Sequence, residues 1–181
     1  MVRGGLETVI AIDIDDVTMS SVGAWLKQFH PGYTIEYIRS WNAWDHVDTC
    51  HSYEQMMDEF GMINPDNVEL LPGAKETILE LEKEHEIYFL TSKRKDMEAW
   101  TRVVLQREGL AHIRLVNNMT DNKAKDEYLY DVLIDDNPSI VHYKKLILFD
   151  RPWNRYVKAE TRISSWSELK GVLYKYGNCS S

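Results

Sequence analysis

A short apolar segment near the start of the chain, residues 9–12, ends in two aspartates, Asp13 and Asp15. A β-strand points successive side chains to opposite faces, so these two carboxylates fall on the same side of the chain. Carboxylates that lie close together oppose each other's ionisation, because each negative charge raises the pKa of the other. A bound divalent cation, or a pair in which one carboxylate attacks and the other carries a proton, explains such a placement. The alternative is a strand that simply ends in a polar turn.

A second segment repeats this pattern. Residues 132–134 are apolar and lead into Asp135 and Asp136, and Asn137-Pro138 then favours a turn. The carboxyl ends of parallel strands meet at one edge of a sheet, so we expect the two aspartate pairs to lie together. A few oxygen ligands that leave room for water and phosphate oxygens are typical of magnesium. The two segments together predict a parallel sheet with a Mg²⁺ site at its carboxyl edge.

Strand and helix patterns alternate after residue 68, which is typical of an α/β domain with a central parallel sheet. In addition to the first segment, the predicted strands are 87–90, 113–116, 132–134 and 146–149. The predicted helices are about 71–86, 96–108 and 165–176, with a short helix or loop over 125–130.

Residues 18–66 do not follow this alternation and have the pattern of broken helical pieces. We therefore expect an α/β core of residues 1–17 and 67–181, with a small helical cap over 18–66 inserted after the first strand. The cap segment holds eight of the chain's twenty aromatic residues: Trp25, Phe29, Tyr33, Tyr37, Trp41, Trp44, Tyr53 and Phe60. Aromatics in this pattern more often form the core of a small subdomain. The alternative is that one or two, with Trp41 and Trp44 as candidates, stack on a flat substrate.

The composition favours one cytoplasmic domain and does not exclude a small anionic substrate, because local cations and a metal can outweigh the net charge. The 181 residues carry a formal net charge of −8, which disfavours an extended nucleic-acid surface. No apolar run approaches the length that spans a bilayer, and the N-terminus lacks a signal-peptide pattern. Cys50 and Cys179 have no motif spacing, so we expect two reduced thiols. A homodimer is a candidate assembly that the sequence leaves open.

Four sequence motifs occur in the order found in the haloacid dehalogenase (HAD) superfamily of phosphotransferases. Asp-x-Asp-x-(Thr/Val) is present at 13–17, and a strand that ends in threonine is present at Thr91. A lysine, Lys125, precedes the last motif, the aspartate pair 135–136. The chain resembles this superfamily over residues 8–150. The resemblance implies a HAD-like Rossmannoid fold with three layers.

Within that superfamily, the chain is most similar to the 5'(3')-deoxyribonucleotidases and their bacterial and phage relatives. The stretches that carry this similarity are residues 71–74, 91–92, Lys125 with 131–136, and 148–154. Two features depart from the group. Asp16 stands where the family usually has glycine, and Lys123-Ala124-Lys125 replaces Arg-Asp-Lys. Aspartate adopts left-handed backbone angles more readily than most residues, so we expect the turn to persist.

The resemblance implies a role for each motif residue. Asp13 would attack phosphorus and form an aspartyl-phosphate, while Asp15 would act as general acid and then as general base. Magnesium would be held by Asp13, the Asp15 backbone carbonyl and Asp135, with Asp136 orienting these ligands.

The resemblance also implies a set of phosphate-binding residues: Thr91, Ser92 and Lys125. Lys93 and Arg94 follow the second motif just before a predicted helix, where an anion is favoured, and they are candidate substrate contacts. The alternative for this cationic stretch is a solvated loop.

These residues favour a magnesium-dependent phosphatase that acts on a nucleoside monophosphate, with deoxy forms preferred. One alternative is a phosphatase for another small phosphoester or for the 3'-phosphate end of a polynucleotide. The net negative charge weighs against the polynucleotide. The other alternative is a non-catalytic binding protein with the same fold, against which the complete set of motif residues weighs.

Overall fold

A computed structural model of the protein describes residues 8–50 and 52–178. At its centre is a six-stranded parallel sheet with the spatial order β3-β2-β1-β4-β5-β6. The strands, numbered along the chain, are β1 (Val9–Ile12), β2 (Glu86–Thr91), β3 (Arg114–Asn117), β4 (Val132–Asp135), β5 (Leu146–Phe149) and β6 (Arg162–Ile163). The predicted parallel sheet is confirmed, and β1 lies directly beside β4.

The strands at the centre of the sheet are apolar on both faces because both faces are covered. Ile10 and Ile12 pack into one hydrophobic cluster, whereas Ala11 between them packs into another. Every residue of β4 and β5 is buried. Continuous apolar runs of this kind are typical of parallel strands enclosed between two layers. Each fully buried isoleucine contributes roughly 1.5–3 kcal/mol to the stability of this core.

The helices are α1 (Ser21–Phe29), α2 (Tyr53–Gly61), α3 (Ala74–Leu81), α4 (Lys95–Arg107), α5 (Asn118–Asp121) and α6 (Leu169–Asn178). Between β1 and α3, the described residues form α1, α2 and three 3₁₀ turns, Ile35–Tyr37, Ala43–His46 and Pro65–Asn67.

The stretch between β1 and α3 begins and ends at neighbouring points. Ser20 N donates to Glu69 O at 2.9 Å, and Leu71 N donates to Thr18 O at 2.9 Å. The chain therefore leaves the sheet and returns to it side by side, which brings α1 and α2 next to the end of β1.

The boundaries of several predicted elements were wrong. The helix expected to run to residue 86 ends at Leu81, because residues 82–85 form a turn in which Lys83 N bonds to Glu80 O at 3.2 Å. The last helix begins with a 3₁₀ turn at Trp166–Glu168 rather than as α-helix. Neither α5 nor β6 was predicted, since four and two residues are too few for a periodic pattern.

Two expectations from the composition concern the cysteines and the possibility of a membrane-spanning helix. Cys50 is a buried free thiol, whereas Cys179 lies outside the described residues. None of the helices in the described part of the chain combines the length and the apolar character needed to cross a membrane.

Candidate active site

The pairing of β1 with β4 brings the two aspartate pairs to one edge of the sheet. Asp13 follows β1, and its backbone N–H continues the ladder by donating to Ile134 O at 2.9 Å. Asp135 is the last residue of β4. Both carboxylates are therefore fixed at the carboxyl ends of neighbouring strands, which is where open α/β sheets bind ligands.

A buried lysine connects these two carboxylates. Lys125 Nζ lies 2.6 Å from Asp13 Oδ1 and 2.6 Å from Asp135 Oδ2. Burial alone would lower the pKa of Lys125, but the attraction of the two carboxylates outweighs it and raises the pKa above its usual value. Lys125 therefore stays charged and holds together two anions that would otherwise repel each other.

Burial also raises the pKa values of two of the acidic side chains. It raises the pKa of Asp13 to about 7, with Asp135 and Asp15 adding to the shift and Lys125 opposing it. It likewise raises the pKa of Asp136 well above its usual value, with further repulsion from Asp135 and Asp13.

Five carboxylates line the cavity at this edge: Asp13, Asp15, Asp16, Asp135 and Asp136. The nearby cations in the described chain are Lys93, Lys125 and Arg151. When all of these groups are charged, the site has an excess of two negative charges.

Three of these carboxylates could hold a metal ion. Single oxygens of Asp13, Asp135 and Asp136 lie within 4.8 Å of one another, and all three residues are buried. Asp136 Oδ2 accepts a hydrogen bond from Trp153 Nε1 at 2.8 Å, which fixes its orientation. The Asp15 carboxylate lies apart from this group, against the Ser21 hydroxyl and Lys93. The sequence assigned only the backbone carbonyl of Asp15 to the metal.

Asp16 makes the turn that carries the chain away from β1. Its φ of 55° lies in the left-handed region, as expected from its identity. Asp16 Oδ2 accepts from Val22 N at 3.0 Å, near the start of α1, and its backbone carbonyl accepts from Arg151 Nε. Asp16 Oδ1 is buried and, within the described residues, has no hydrogen-bond partner. Burial raises the pKa of this carboxyl to about 7.

The predicted phosphate-binding residues occupy different positions. Thr91 ends β2 and is fully buried, and its hydroxyl has no hydrogen-bond partner among the residues that the structure describes. Ser92 and Lys125 line the cavity. Thr91 itself does not line the cavity but directly precedes Ser92, which does, and its buried hydroxyl is an unsatisfied polar group, which is uncommon unless a ligand or water completes it.

The two candidate cations after β2, Lys93 and Arg94, contact different parts of the molecule. Lys93 is buried and lines the cavity, with Nζ 2.9 Å from Asp15 Oδ1. Arg94 instead pairs with Asp58 of α2 at 3.0 Å and with Asp96 at 2.5 Å. The structure therefore brings Lys93 to the site and directs Arg94 to the cap segment.

Most of the apolar lining of the cavity comes from residues 18–66. Trp41 and Trp44, the two aromatics singled out from the sequence, both line it. The face of α2 that lines it was not identified from the sequence: Tyr53, Met56, Met57 and Phe60. Their i, i+3, i+4, i+7 spacing is a helical signal that was available. Four of the eight aromatics in the segment therefore line the cavity, whereas Trp25 is fully buried.

Three further potential metal ligands, His30, Cys50 and Glu59, lie within 4.8 Å of one another in the same segment. His30 Nε2 is 2.8 Å from Glu59 Oε2, and His30 Nδ1 is 3.0 Å from Thr49 Oγ1. Trp25 Nε1 also donates to Glu59 at 2.7 Å. These hydrogen bonds satisfy the histidine and the carboxylate without a metal ion and join α1 to α2.

A protein-family model matches residues 7–176 of this chain. Its description is 5' nucleotidase, deoxy (pyrimidine), cytosolic type C protein (NT5C). The matched range includes both aspartate pairs, the cavity wall and the whole sheet. No curated protein sequence matches the chain.

Solved structures share the fold at low sequence identity. A haloacid dehalogenase-like protein of unknown function from Agrobacterium tumefaciens is 15% identical, with a TM-score of 0.63 over 94% of this chain and 99% of that one. A hydrolase from Pseudomonas syringae is 16% identical, with a TM-score of 0.59 over 93% and 99%. A HAD family hydrolase from Deinococcus radiodurans, solved with bound phosphate and sodium, is 14% identical, with a TM-score of 0.59 over 94% and 96%.

Proposed function

The chain belongs to the cytosolic type C 5' nucleotidase family of HAD phosphatases, and on that premise we propose that it is a magnesium-dependent phosphatase of nucleoside monophosphates, with deoxynucleotides preferred. One observation carries the proposal. The Asp13 carboxylate lies on the floor of a cavity, 2.6 Å from the ammonium group of Lys125, and aromatic residues line the same cavity. This arrangement offers a nucleophile and a cation to a phosphate, and an apolar surface to a flat ring.

Asp13 is the proposed nucleophile. Its carboxylate would attack phosphorus to form an aspartyl-phosphate and release the nucleoside, and water would then cleave that intermediate. The strand ladder and Lys125 fix the carboxylate in place before substrate arrives. Preorganisation of this kind lowers the barrier, because little rearrangement remains for the reaction itself.

Lys125 and Thr91 are the proposed contacts of the transferring phosphoryl group. Lys125 has one ammonium proton beyond the two that it donates to Asp13 and Asp135, and it lines the cavity. The Thr91 hydroxyl is buried without a partner in the described chain, so a phosphate oxygen would satisfy it. Ser92, which also lines the cavity, would add a hydrogen bond.

The donor set fits magnesium. Asp13 and Asp135 would hold the ion together with the Asp15 backbone carbonyl, and Asp136, held by Trp153, would orient them. All of these donors are oxygens, as magnesium prefers. When every group of the site is charged, the excess of two negative charges equals the charge of one divalent cation. When bound, magnesium supplies positive charge that offsets the repulsion between carboxylate and phosphate.

Asp15 is the proposed general acid and base. It would protonate the leaving 5' or 3' oxygen of the nucleoside and later take a proton from the attacking water. Its side chain is about a third exposed and lines the cavity, so it can exchange protons with a substrate bound there.

Residues 18–66 are the proposed cap, and their side chains would determine which substrate binds in the cavity. The wall formed by Trp41, Trp44 and the α2 face offers flat apolar surface to a nucleobase. A polynucleotide would need a track of cations beyond the cavity, and the net charge of −8 disfavours it.

The aspartyl-phosphate can be trapped directly. Borohydride reduces an acyl-phosphate but not a free carboxylate, so treatment during turnover of p-nitrophenyl phosphate should convert residue 13 to homoserine, detectable by peptide mass spectrometry. Asp15→Asn should raise the trapped fraction, because p-nitrophenolate leaves without an acid while the water step loses its base.

Asp13→Asn is the matched control and should give no homoserine. Turnover of substrate by the wild-type enzyme with no trapped residue 13, or trapping at another position, would contradict the assignment of the nucleophile.

A further inference from the structure

Lys93 lies next to the proposed acid–base residue, and we infer that it is a positioning residue rather than a ligand of the substrate phosphate. It fixes the Asp15 carboxylate by binding one of its two oxygens. The inference rests on the proposed phosphatase function. Within that function it gives the two lysines different roles: Lys125 binds the substrate phosphate, and Lys93 positions Asp15.

The Lys93 ammonium group has three protein partners, as many as it has protons. Nζ lies 2.9 Å from Asp15 Oδ1, 2.6 Å from Thr101 Oγ1 and 3.8 Å from the centre of the Trp100 ring. The Thr101 hydroxyl donates its own proton to Met97 O at 3.1 Å, so its oxygen can only accept from Lys93. A carboxylate, a hydroxyl and an aromatic face therefore saturate the cation. A phosphate could bind it only by displacing one of them.

The backbone of Lys93 is held as firmly as its side chain. Asn117, the last residue of β3, accepts from Lys93 N at 3.3 Å and donates to Lys93 O at 2.9 Å. Trp100, whose ring lies against the ammonium group, donates its own Nε1–H to Phe60 O at 3.0 Å. Lys93 lines the cavity but exposes only 2% of its surface, and its contacts with Asp15, Thr101 and Trp100 hold its ammonium group at the cavity wall.

Both contacts to Asp15 fall on the same oxygen. The Ser21 hydroxyl, from the start of α1, and Lys93, from the end of β2, both donate to Asp15 Oδ1. Across the described part of the chain, Oδ2 receives no hydrogen bond, and Asp15 lines the cavity. Two donors from different elements thus hold the carboxylate in one orientation and leave its second oxygen for the leaving group and the water.

A double-mutant cycle tests this coupling. Lys93→Met keeps the length of the side chain and its contact with Trp100 but removes the three donors. In the wild-type background we expect kcat for a nucleoside monophosphate to fall about 10- to 100-fold, with KM changed less than about 3-fold. This loss is no larger than the roughly 100-fold lower end of what general acid–base catalysis contributes, because the variant disorders Asp15 without removing it. In an Asp15→Asn background, the same change should alter kcat by less than about 2-fold.

Lys95→Met is the matched control, because Lys95 is exposed on the same stretch of chain, and it should leave both constants unchanged. A rise in KM alone for Lys93→Met would assign Lys93 to phosphate binding and overturn the inference. An equal loss of kcat in both backgrounds would also overturn it, because Lys93 would then act independently of Asp15.

Crystal structures of the wild-type protein and Lys93→Met supply a readout that does not depend on turnover. We expect Asp15 to leave the orientation that it shares with Ser21, or to adopt two, in the variant. An unchanged, single orientation of Asp15 would contradict the inference. If the wild-type protein hydrolyses no phosphoester, the proposed function fails, and these structures still decide whether Lys93 positions Asp15.

Discussion

Asp16 occupies the turn after β1, at the position where the family resemblance leads us to expect glycine. The left-handed φ of 55° that glycine adopts without strain is adopted here by a buried carboxyl. Asp16 accepts a hydrogen bond from Val22 N, but its other oxygen has no partner in the described chain. The site therefore keeps the turn at an electrostatic cost that increases when Asp16 ionises.

That cost predicts how stability changes with pH. Burial raises the pKa of Asp16 to about 7 in the folded protein, from 3.8 in the unfolded chain. Between these values the folded state holds a proton that the unfolded state has lost, so the stability falls as pH rises. Asp16→Asn keeps the left-handed turn and the acceptor for Val22 without this titration. Its free energy of unfolding, relative to wild type, should increase by about 3 kcal/mol between about pH 4.5 and about pH 7.5.

Urea denaturation at several pH values, with a chelator present, measures this difference. Asp16→Gly is the companion variant, because it also removes the titrating group and should show the same rise with pH. A stability difference between Asp16→Asn and wild type that is flat with pH would show that Asp16 does not titrate as described.

At the residue scale, the sequence predicts the groups that stand next to apolar strands. Asp13 and Asp135 could be assigned because each directly follows or ends such a run, and Lys125 because the family motif fixes its place before β4. Ser21 could not be assigned, because it contacts Asp15 from the start of a helix and has no periodic or spacing signal. Trp153 lies in the stretch 148–154 that resembles the family, but its contact with Asp136 from a turn after β5 was not predicted.

The element that most influences the cavity is α2. One of its faces lines the cavity, and Glu59 on the same helix joins it to α1 through hydrogen bonds from Trp25 and His30. Burial alone would raise the pKa of Glu59, but the hydrogen bonds from Trp25, His30 and Gln55 outweigh it, so the net pKa is lowered. The packing of α2 on α1 thus depends on an ionised, mostly buried carboxylate.

Glu59→Gln should therefore loosen the cap segment. We expect a loss of about 1–3 kcal/mol in the free energy of unfolding near neutral pH, the typical cost of leaving buried donors without a charged acceptor. A lowered folded-state pKa contributes stability above the unfolded value of 4.5 and loses it as pH falls through the folded value. The difference from wild type should therefore be constant above about pH 5.5 and shrink as pH falls through 4.5 to the lower folded-state value.

Glu54→Gln is the control for this prediction, since Glu54 is exposed on the same helix. It should change the free energy of unfolding by less than about 0.5 kcal/mol. Equal effects of the two substitutions would show that the network around Glu59 does not hold α2 in place.

At the element scale, the long apolar strands were predictable and the short or amphipathic elements were not. The β5 strand was placed correctly at residues 146–149, because all four residues are apolar and buried. The two residues of β6 are too few to show an alternation. The α2 face was missed because an apolar helical face looks the same whether it packs on a core or borders a cavity. Only the tertiary structure shows which side of the helix is open.

At the scale of the whole molecule, the dominant feature is negative charge gathered at one point. The chain carries a net charge of −8, and five carboxylates meet three cations at the carboxyl edge of the sheet. The sheet order places this cluster at the junction of β1 and β4, beneath residues 18–66. The cytoplasmic location and homodimeric assembly considered from the sequence stay predictions, and light scattering after gel filtration would test the second.

The charge cluster predicts that magnesium stabilises the protein more at high pH. Burial raises the pKa values of Asp13, to about 7, and of Asp136, so both carboxyls hold protons at acid pH that a cation must displace. Without a cation, the protein loses stability as pH rises toward neutrality, because these groups ionise against one another. At a fixed magnesium concentration, the rise in Tm over that in chelator should be several degrees larger near pH 8 than near pH 6.

Asp13→Asn should abolish most of that pH dependence, because it removes both a ligand and a titrating group. A rise in Tm that is equal at the two pH values, or larger at the lower one, would contradict the metal site at these carboxylates.

Phosphate release tests the central claim most directly. Purified wild-type protein and Asp13→Asn would be compared on a panel of deoxyribonucleoside and ribonucleoside monophosphates, with p-nitrophenyl phosphate as a generic ester, in magnesium and in chelator. We expect magnesium-dependent release from one or a few deoxynucleotides, lost in Asp13→Asn while the variant stays folded by circular dichroism. Release from the generic ester alone would keep the mechanism and contradict the nucleotide substrate. No release from any compound, or equal rates in wild type and Asp13→Asn, would contradict the account.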